Sequence, residues 1–334
     1  MRNLYFSNVP ASYRADLCRF LYREMDCVIC FEAPGRAEMD IPLHRWTLKD
    51  LLPLVRRYRP SLVFVPEFSP VALGALLLRK RFGFKVISFC DDSMDMIGGH
   101  DFGWKHRWAR KFVPRQVDEM IVHSPAVLEW YRERFGKGLL MPIMADERRI
   151  RPELERVLPL SGRLRPGTKP LVGFVGRLVG LKNIPALLSA FEPLKERADL
   201  VIIGEGPERA SLQELAPEAL FAGFLEGDDL LAWYNLIDIL VLPSRQEAYG
   251  AVTGEALMAG VKVVVSTHAG SSSLVVEGKN GYSVDPTDVP ALTSRLSALL
   301  DLVPGHRPLE LRENLHPYRF ADCVQAMMKE INAL

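Results

Sequence analysis

Two glutamates stand eight positions apart in a stretch whose other residues are suited to binding a phosphorylated sugar. Glu247 follows the predicted strand 239–242, and Glu255 falls within a helix predicted to begin near Gly250. The start of a helix offers free N–H groups and the positive end of a dipole, and both attract a diphosphate. Because a carboxylate accepts two hydroxyl hydrogen bonds, we expect Glu247 to lie at a sugar and Glu255 at a ribose. On these two residues alone, the alternative is a pair of solvated charges.

A second set of residues supplies positive charge. The segment 173–183, Gly-Phe-Val-Gly-Arg-Leu-Val-Gly-Leu-Lys-Asn, follows the first predicted strand of the second half. Gly176 permits close backbone approach, Arg177 can fork onto phosphate oxygens and Lys182 supplies a point charge. The chain has no P-loop spacing of glycines with Gly-Lys-Ser or Gly-Lys-Thr, and Arg209 stands where a dinucleotide fingerprint requires a small residue. These residues indicate a departing nucleoside diphosphate and disfavour hydride chemistry with NAD.

The secondary-structure elements that must position these residues are predicted to be βαβ units. Short β-branched segments alternate with amphipathic ones, which is typical of a parallel sheet. We predict an α/β chain with two Rossmann-like, doubly wound parallel sheets, joined by a charged, Pro-containing linker at 148–170 without helix or strand. Open sheets bind ligands beyond the carboxyl ends of their strands, so we expect function in the loops that follow strands. The predicted strands are 3–7, 27–31, 62–65, 85–89, 119–122 and 139–142, then 171–175, 200–203, 219–222, 239–242, 261–266 and 281–284.

Length and composition exclude several classes of protein. The 334 residues correspond to about two domains of roughly 150 residues. No apolar run of about 20 residues could cross a bilayer, and the N-terminus has too short an apolar core for a secretory signal. Five scattered cysteines suit reduced thiols in the cytosol, and Cys27 and Cys30 are expected to pack in an apolar strand rather than to act in redox chemistry.

The net charge of +1 conceals an asymmetry, since residues 1–150 carry +6 and the remainder −5. The basic clusters of the first half predict either a surface that binds anionic lipid or a phosphorylated acceptor, or simply solvated helix faces. The sequence leaves these two interpretations open. Trp104, Trp108 and Phe112 recur every fourth residue in one such basic stretch. They predict either an interfacial helix at lipid headgroups or, as we favour, ordinary packing with snorkelling cations. Nothing indicates a nucleic-acid partner, because no basic stretch has interleaved aromatics in a known binding module.

Four groups after the strand 85–89 are candidates to accept a proton from an acceptor hydroxyl: Asp91, Asp92, Asp95 and His100. The alternatives are helix capping or turn formation by the aspartates and a solvent-exposed histidine. A metal site at the aspartates is disfavoured, because no further suitably spaced ligands lie nearby in the sequence.

Residues 170–300 resemble the donor-binding half of retaining glycosyltransferases of family four, which have the GT-B architecture. The resemblance implies two Rossmann-like domains facing a cleft: 1–150 on the acceptor side and 168–315 binding the donor nucleotide, with a C-terminal helix at 316–334 that can pack back on the first domain. It runs through Gly176-Arg177 with Lys182, Gly204-Glu-Gly-Pro207, Pro243-Ser244, the E-x7-E pair Glu247 and Glu255, Glu255-Ala-Leu-Met-Ala-Gly260, and Gly278-Lys-Asn-Gly281.

The resemblance also implies roles for individual residues. It puts Arg177 and Lys182 on the diphosphate, Glu255 on the ribose, Glu247 at the transferred sugar and the backbone near 221–224 against the base. The implied donor-binding set is Gly176, Arg177, Lys182, Gly223, Phe224, Glu247, Tyr249, Gly250, Ala251 and Glu255, and the candidate catalytic set is Glu247, Arg177, Lys182, Asp92 and His100. Retention of anomeric configuration is implied, with neither metal nor cofactor beyond the nucleotide-sugar substrate.

The chain departs from the family pattern in two places. Ser272-Ser273 stands where many members have Pro-Glu, and the loop 7–14 replaces a glycine-rich loop. Within that loop, Arg14 either helps to hold a phosphate or, as we favour, belongs to a helix surface.

The expected function is transfer of a sugar from a nucleoside-diphosphate-sugar to a saccharide or lipid-linked acceptor hydroxyl in bacterial surface-polysaccharide or glycolipid assembly. The expected location is the cytoplasm, with peripheral contact at the inner face of the membrane through the first domain. The alternatives are a non-catalytic nucleotide-sugar-binding or scaffolding protein of the same fold, and a nucleotide-sugar epimerase.

Overall fold

Two parallel sheets, one in each of two units, carry the fold. The computed structural model describes residues 1–35, 39–98, 104–164, 167–303 and 309–334, without the side chains of 104–106. Residues Met1–Ala145 and Phe320–Leu334 form the first unit, and Asp146–Arg319 form the second. The predicted α/β class with two doubly wound parallel sheets is confirmed.

The first unit contains seven parallel strands in the order β3-β2-β1-β4-β5-β6-β7. Helices cover both faces, so strands such as β2 are buried along their whole length and read as continuous apolar runs. The strands are β1 (Asn3–Ser7), β2 (Cys27–Phe31), β3 (Leu43–Arg45), β4 (Leu62–Pro66), β5 (Lys85–Cys90), β6 (Glu119–Val122) and β7 (Leu139–Leu140). The helices are α1 (Ala15–Glu24), α2 (Leu51–Tyr58), α3 (Pro70–Phe82), α4 (Met94–Gly98), α5 (Trp104–Gln116) and α6 (Pro125–Phe135).

The second unit has six parallel strands in the order β10-β9-β8-β11-β12-β13. The strands are β8 (Leu171–Val175), β9 (Asp199–Ile203), β10 (Leu220–Gly223), β11 (Ile239–Leu242), β12 (Lys262–Ser266) and β13 (Gly281–Val284). The helices are α7 (Glu147–Arg156), α8 (Leu158–Leu164), α9 (Ile184–Phe191), α10 (Arg209–Leu215), α11 (Gly227–Leu236), α12 (Ala251–Met258) and α13 (Val289–Leu300).

Two local predictions were wrong. The segment predicted to be an irregular linker is mostly helical, because α7 and α8 occupy it. Ile150 and Leu154 are buried, and the two helices pack on α11. The sequence did not predict α7 because charged residues and Pro152 separate its few apolar residues. The short strand β3 was missed because all three of its residues are exposed and lack an apolar pattern.

The C-terminal helix α14 (Phe320–Asn332) is part of the first unit, separated in sequence from the rest of it. It packs against β7, and the rings of Phe20 and Phe320 meet edge to face at 6.4 Å. The end of the chain therefore contributes to the core of the unit in which the chain begins.

Each sheet has one place where the strand order reverses. In the first unit it lies between β1 and β4, and in the second between β8 and β11. At such a point the loops after the two neighbouring strands run in opposite directions and leave a crevice beyond the carboxyl ends, where open α/β sheets bind ligands.

Cys27 and Cys30 are both buried in β2, as expected for packing residues. Burial raises the pKa of both thiols, which opposes thiolate chemistry. Among the residues that the structure describes, no helix is both long enough and apolar enough to span a bilayer.

Candidate functional site

The loops after β8 and β11 are joined at the reversal point of the second sheet. The Lys182 ammonium forms an ion pair with the Glu247 carboxylate. The Arg245 N–H donates to the Leu181 carbonyl at 2.8 Å, so the backbones of the two loops are also connected. The structure therefore brings together the lysine and the first glutamate of the two sequence motifs, which lie 65 residues apart in the chain.

Asn183 fixes the end of the first of these loops. Its backbone is in the left-handed region at φ 54°, which asparagine tolerates better than most residues. Its buried side-chain amide donates to the carbonyls of Pro243 at 3.2 Å and Pro286 at 2.8 Å. The amide thus connects three loops at the carboxyl edge of the sheet and positions the neighbouring Lys182.

Glycines allow the next loops to approach one another. The Gly204 N–H donates to the Gly223 carbonyl at 2.7 Å. A Cβ on Gly204 would lie only 1.8 Å from the Gly176 carbonyl oxygen, a distance that no side chain permits. The loops after β8, β9 and β10 can therefore approach one another this closely only because residue 204 is glycine. The Gly176 backbone lies beside the Lys182 side chain.

The helix α12 begins at Ala251, directly after its N-cap residue Gly250 and close to the predicted start. Gly250 has φ +89°, and a Cβ there would approach the Leu242 side chain to 2.5 Å. The tight turn places Ala251 in the first helical turn, directly after the Glu247 loop. The first N–H groups of a helix lack intrahelical partners, so this end of α12 is electrostatically suited to an anion.

Glu255 lies on the second turn of α12 and is held by Tyr234. The Tyr234 hydroxyl donates to Glu255 Oε2 at 2.8 Å. Burial raises the pKa of Glu255, while the Tyr234 hydrogen bond and the charge of Arg149 oppose that rise. One carboxylate oxygen of Glu255 is thus held by the protein.

Three further predicted donor residues lie in different environments. Arg177 is exposed and forms no ion pair within the described ranges of the chain. Phe224 is half exposed at 52%, beside Gly223 at the end of β10. Tyr249 is only 4% exposed, so its ring belongs to the core, and its carbonyl accepts the Ser271 N–H at 2.8 Å. The structure therefore does not support a ligand contact by the Tyr249 ring.

The loop that departs from the family pattern packs on this site. Residues Gly270–Leu274 form a short 3₁₀ helix, and the Ser271 hydroxyl donates to Thr253 Oγ1 at 2.9 Å. The Ser273 hydroxyl donates to the Gly270 carbonyl at 2.8 Å. In this loop Ser271 and Ser273 thus bond within the fold.

The predicted catalytic role of Asp92 is not supported by its position. Its side chain is fully buried at 0% exposure, and Asp92 Oδ1 accepts from Arg110 Nη2 at 2.8 Å. A carboxylate in that position stabilises the fold around α5 and is out of reach of a substrate. Asp95 is exposed on α4, and His100 lies outside the described residues.

Asp91 is instead the centre of a polar network. The Arg14 guanidinium pairs with it, and His123 Nε2 lies 2.8 Å from Asp91 Oδ1. Burial acts to raise the pKa of Asp91, but Arg14 and His123 outweigh it and hold that pKa well below its usual range. Arg14 is buried, so the predicted exposed helix-surface role for it was wrong.

A pocket of about 300 Å³ opens at the reversal point of the first sheet, beside this network. Its walls come from the loops after β1 and β4, together with Phe89 and Asp91. Glu67, directly after β4, lines it. Burial, reinforced by the charges of Asp91 and Asp92, raises the pKa of Glu67 to about 7.

Comparison with known proteins identifies the second unit. The family described as Glycosyl transferases group 1 matches residues 169–302, the stretch that contains every motif predicted to bind the donor. Residues 169–302 belong to this glycosyltransferase family. A GDP-mannose-dependent alpha-mannosyltransferase of Mycolicibacterium smegmatis is 37% identical over 70% of this chain and 63% of its own length. A sulfoquinovosyl transferase of Arabidopsis thaliana is 28% identical over 78% of this chain and 54% of its own length.

Two solved structures of low sequence identity have the same fold. HepE of Anabaena in complex with UDP superposes with a TM-score of 0.79 over all of both chains, at 16% identity. Sucrose-phosphate synthase of Thermosynechococcus elongatus gives a TM-score of 0.78 at 17% identity, covering all of this chain and 99% of its own. The predicted GT-B fold and family-four resemblance are therefore confirmed, while the chain spans only about half to two thirds of the two curated relatives' lengths.

One group of side chains in the first unit resembles a metal site but does not fit one. Possible ligand atoms of Glu67, Cys90 and Asp92 lie within 4.8 Å of one another. Arg110 already supplies the positive charge at Asp92, and burial raises the pKa of Cys90 well above its usual value. A cation there would compete with a guanidinium and face a protonated thiol, so we assign no metal to this group.

Sequence reasoning missed several residues that build these two candidate sites. Glu67 and His123 each follow a buried strand directly, and that position alone was the signal available for them. Tyr234 lies inside α11, where a tyrosine is ordinary, so its hydrogen bond to Glu255 has no local signature.

Proposed function

We propose that this protein transfers a sugar from a nucleoside-diphosphate-sugar to an acceptor hydroxyl, with retention of anomeric configuration and without a metal. The observation that carries the proposal is the ion pair between Lys182 and Glu247 at the reversal point of the second sheet, which joins the loop that contains Arg177 to the loop that precedes α12. The names of similar proteins support the donor class, since one is a GDP-mannose-dependent transferase and another binds UDP.

The chemistry follows from where positive charge is available. As the bond between the anomeric carbon and the diphosphate breaks, the leaving group takes the electron pair and gains negative charge. Lys182, the exposed guanidinium of Arg177 and the positive end of α12 stabilise that charge. The acceptor oxygen then forms its bond to the anomeric carbon on the face that the diphosphate leaves, while the departing phosphate oxygen accepts the acceptor's hydroxyl proton, and attack on that same face gives retention.

The two glutamates divide the recognition of the donor. Glu247 accepts hydrogen bonds from hydroxyls of the transferred sugar, and its ion pair with Lys182 orients both side chains before the donor binds. Glu255 accepts the ribose hydroxyls with the oxygen that Tyr234 does not occupy. The backbone at Gly223 and Phe224, at the end of β10, contacts the base in this proposal.

Turnover measurements on the Glu247→Ala variant test the proposal. Screening GDP-, UDP- and ADP-sugars for thermal stabilisation identifies the donor, since a ligand that binds the native state raises apparent stability. With that donor, we expect Glu247→Ala to abolish sugar transfer while nucleotide diphosphate still binds, and Glu214→Ala, an exposed glutamate of α10, to retain full turnover. Full turnover by Glu247→Ala, or no stabilisation by any nucleotide sugar, contradicts the proposal.

We further propose that the protein acts at the inner face of a bacterial membrane, in surface-polysaccharide or glycolipid assembly. Trp108 and Phe112 are 51% and 37% exposed on α5, where packing was the favoured expectation, and their rings stack at 4.7 Å. Arg107, Lys111 and Arg115 are exposed on the same helix. Exposed aromatics among cations are suited to the headgroup region of an anionic bilayer.

A further inference from the structure

A buried hydroxyl group in the second unit lies against one of the two glutamates of the donor motif. Tyr234 is only 1% exposed on α11, and its hydroxyl donates to Glu255 Oε2 at 2.8 Å. The two residues lie 21 positions apart and on different helices, so the packing of α11 and α12 determines the contact. A buried hydroxyl requires a hydrogen-bond partner, and the fold supplies a carboxylate as that partner.

The end of α11 holds the Tyr234 side chain in place. Arg312 Nη1 donates to the Ile237 carbonyl at 2.7 Å, and Arg312 Nη2 donates to the Tyr234 carbonyl. On the neighbouring residue, the buried Asn235 amide donates to the Leu154 carbonyl of α7 at 2.8 Å. The backbone around Tyr234 is therefore attached to two other segments of the chain. Its hydroxyl is a fixed donor, and the carboxylate side chain turns towards it.

This hydrogen bond also affects the charge of Glu255. Burial raises the pKa of Glu255, whereas the Tyr234 hydrogen bond and the charge of Arg149 on α7 lower it. Tyr234 therefore favours the ionised carboxylate, which is the form that only accepts hydrogen bonds.

A carboxylate held in this way retains the capacity to bind hydroxyls. Glu255 is half-buried, and the bond from Tyr234 is its one hydrogen bond to the part of the chain that the structure describes. An ionised carboxylate has about four acceptor positions, so a single bond from tyrosine leaves room for others. Because the orientation of Glu255 is set before a ligand binds, less side-chain entropy is lost on binding.

We propose that Tyr234 is a positioning residue for the donor nucleotide: its hydroxyl orients Glu255, and Glu255 then binds the ribose hydroxyls. The proposal rests on the proposed function, which assigns the ribose to Glu255. Tyr234 is too deeply buried to touch the donor, so it acts through Glu255 alone. If the hydroxyl served only to stabilise the packing of α11, its removal would leave the recognition of ribose unchanged.

Nucleotides with and without ribose hydroxyls test the proposal. Isothermal titration calorimetry on the full chain compares GDP, UDP and ADP with their 2′,3′-dideoxy forms. We expect the wild type to bind at least one of these nucleotides about tenfold or more tightly than its dideoxy form. In Tyr234→Phe this preference should fall to about threefold or less, because only the ribose form binds more weakly. Unchanged binding of the dideoxy form shows that the variant is folded.

Two further variants separate positioning from packing. Tyr131→Phe removes another fully buried hydroxyl, which lies 3.4 Å from Cys90 Sγ in the first unit, and should keep the wild-type preference. Glu255→Ala should lose the preference, and adding Tyr234→Phe to it should weaken binding no further. With the donor in use, Tyr234→Phe should raise KM about tenfold while kcat stays within about threefold.

Three results would overturn the positioning role: a wild-type ribose preference in Tyr234→Phe, an equal loss of affinity for both nucleotide forms, or an additive loss in the double variant. If the wild type also transfers sugar, any of these refutes the positioning role and leaves the proposed function intact. A ribose preference that depends on Tyr234, with no sugar transfer from GDP-mannose or UDP-glucose, refutes the proposed function alone. Absence of binding by all three nucleotides overturns both.

Discussion

Replacing Glu67 by glutamine should stabilise the first unit, increasingly as the pH rises from 4.5 to about 7 and fully above that window. Burial, with Asp91 and Asp92 nearby, raises the pKa of Glu67 from 4.5 to about 7, although Arg14 and the Asp91 N–H oppose the rise. The thiol of Cys90 also lies close to it. A rise of this size corresponds to roughly 3 kcal/mol of free energy.

The sign follows from where the protons are bound. Between pH 4.5 and about 7 the native protein holds a proton on Glu67 that the unfolded chain has released. The wild type therefore loses free energy of unfolding as the pH rises through that window, and the loss is complete above it. The glutamine of Glu67→Gln can still accept from the Asp91 N–H but carries no charge, so the variant escapes this loss.

Urea unfolding at several pH values measures the effect. Four of the five tryptophans lie at positions below 146, so fluorescence reports mainly on the first unit. The advantage of Glu67→Gln over the wild type should be small at pH 4.5 and grow to roughly 3 kcal/mol at pH 8. Glu129→Gln, at an exposed glutamate of α6, should show no such growth. An advantage that is the same at pH 5 and pH 8 refutes the reasoning, because it excludes an ionisation that differs between the two states.

Three further predictions concern packing, a buried ion pair and the exposed face of α5. Gly204→Ala should destabilise the second unit by about 3 kcal/mol in urea titrations, because its Cβ meets a backbone oxygen at 1.8 Å. Gly227→Ala, at φ +56° in open space, should lose only about 1 kcal/mol, and equal losses would contradict the argument. Arg110→Ala should cost about 3–5 kcal/mol of unfolding free energy by leaving Asp92 buried without its cation. Adding Asp92→Ala should recover part of that loss, whereas simple additivity would show that the pair is not coupled. Trp108→Ala should reduce co-sedimentation with phosphatidylglycerol vesicles several-fold, and undiminished sedimentation would remove this face from the membrane proposal.

The sheets were predictable because a strand buried in a parallel sheet has a recognisable pattern of residues within its own short segment. A strand covered on both faces, such as β8, is a continuous run of apolar residues bounded by glycine or polar residues, and one segment suffices to recognise it. The strand β3 has no such apolar run, because all three of its residues are exposed. The helix α7 was missed because only Ile150 and Leu154 face the core among many charges, so its stabilising contacts with α11 come from elsewhere in the chain.

The donor motifs were also recognisable from sequence. Gly176 to Lys182 and Glu247 to Glu255 each lie in one short segment, where spacing along a loop or helix turn determines which groups can face a diphosphate. The sequence alone was therefore sufficient to predict that the loops after β8 and β11 carry the candidate residues of the second unit. It was not sufficient to predict that Lys182 and Glu247 form an ion pair, because their contact depends on the order of strands in the sheet.

Only the tertiary structure decided which acidic residues of the first unit are available for chemistry. By sequence, Asp91, Asp92 and Asp95 are equivalent carboxylates after a strand, and Glu67 is a single charge after another. Folding buries Asp92 against a guanidinium and leaves Asp95 in solvent, while Glu67 acquires a pocket and a raised pKa. Residue type and local spacing determine what a group can do, but desolvation and charge partners are set by segments far apart in the chain, and these determine what it does.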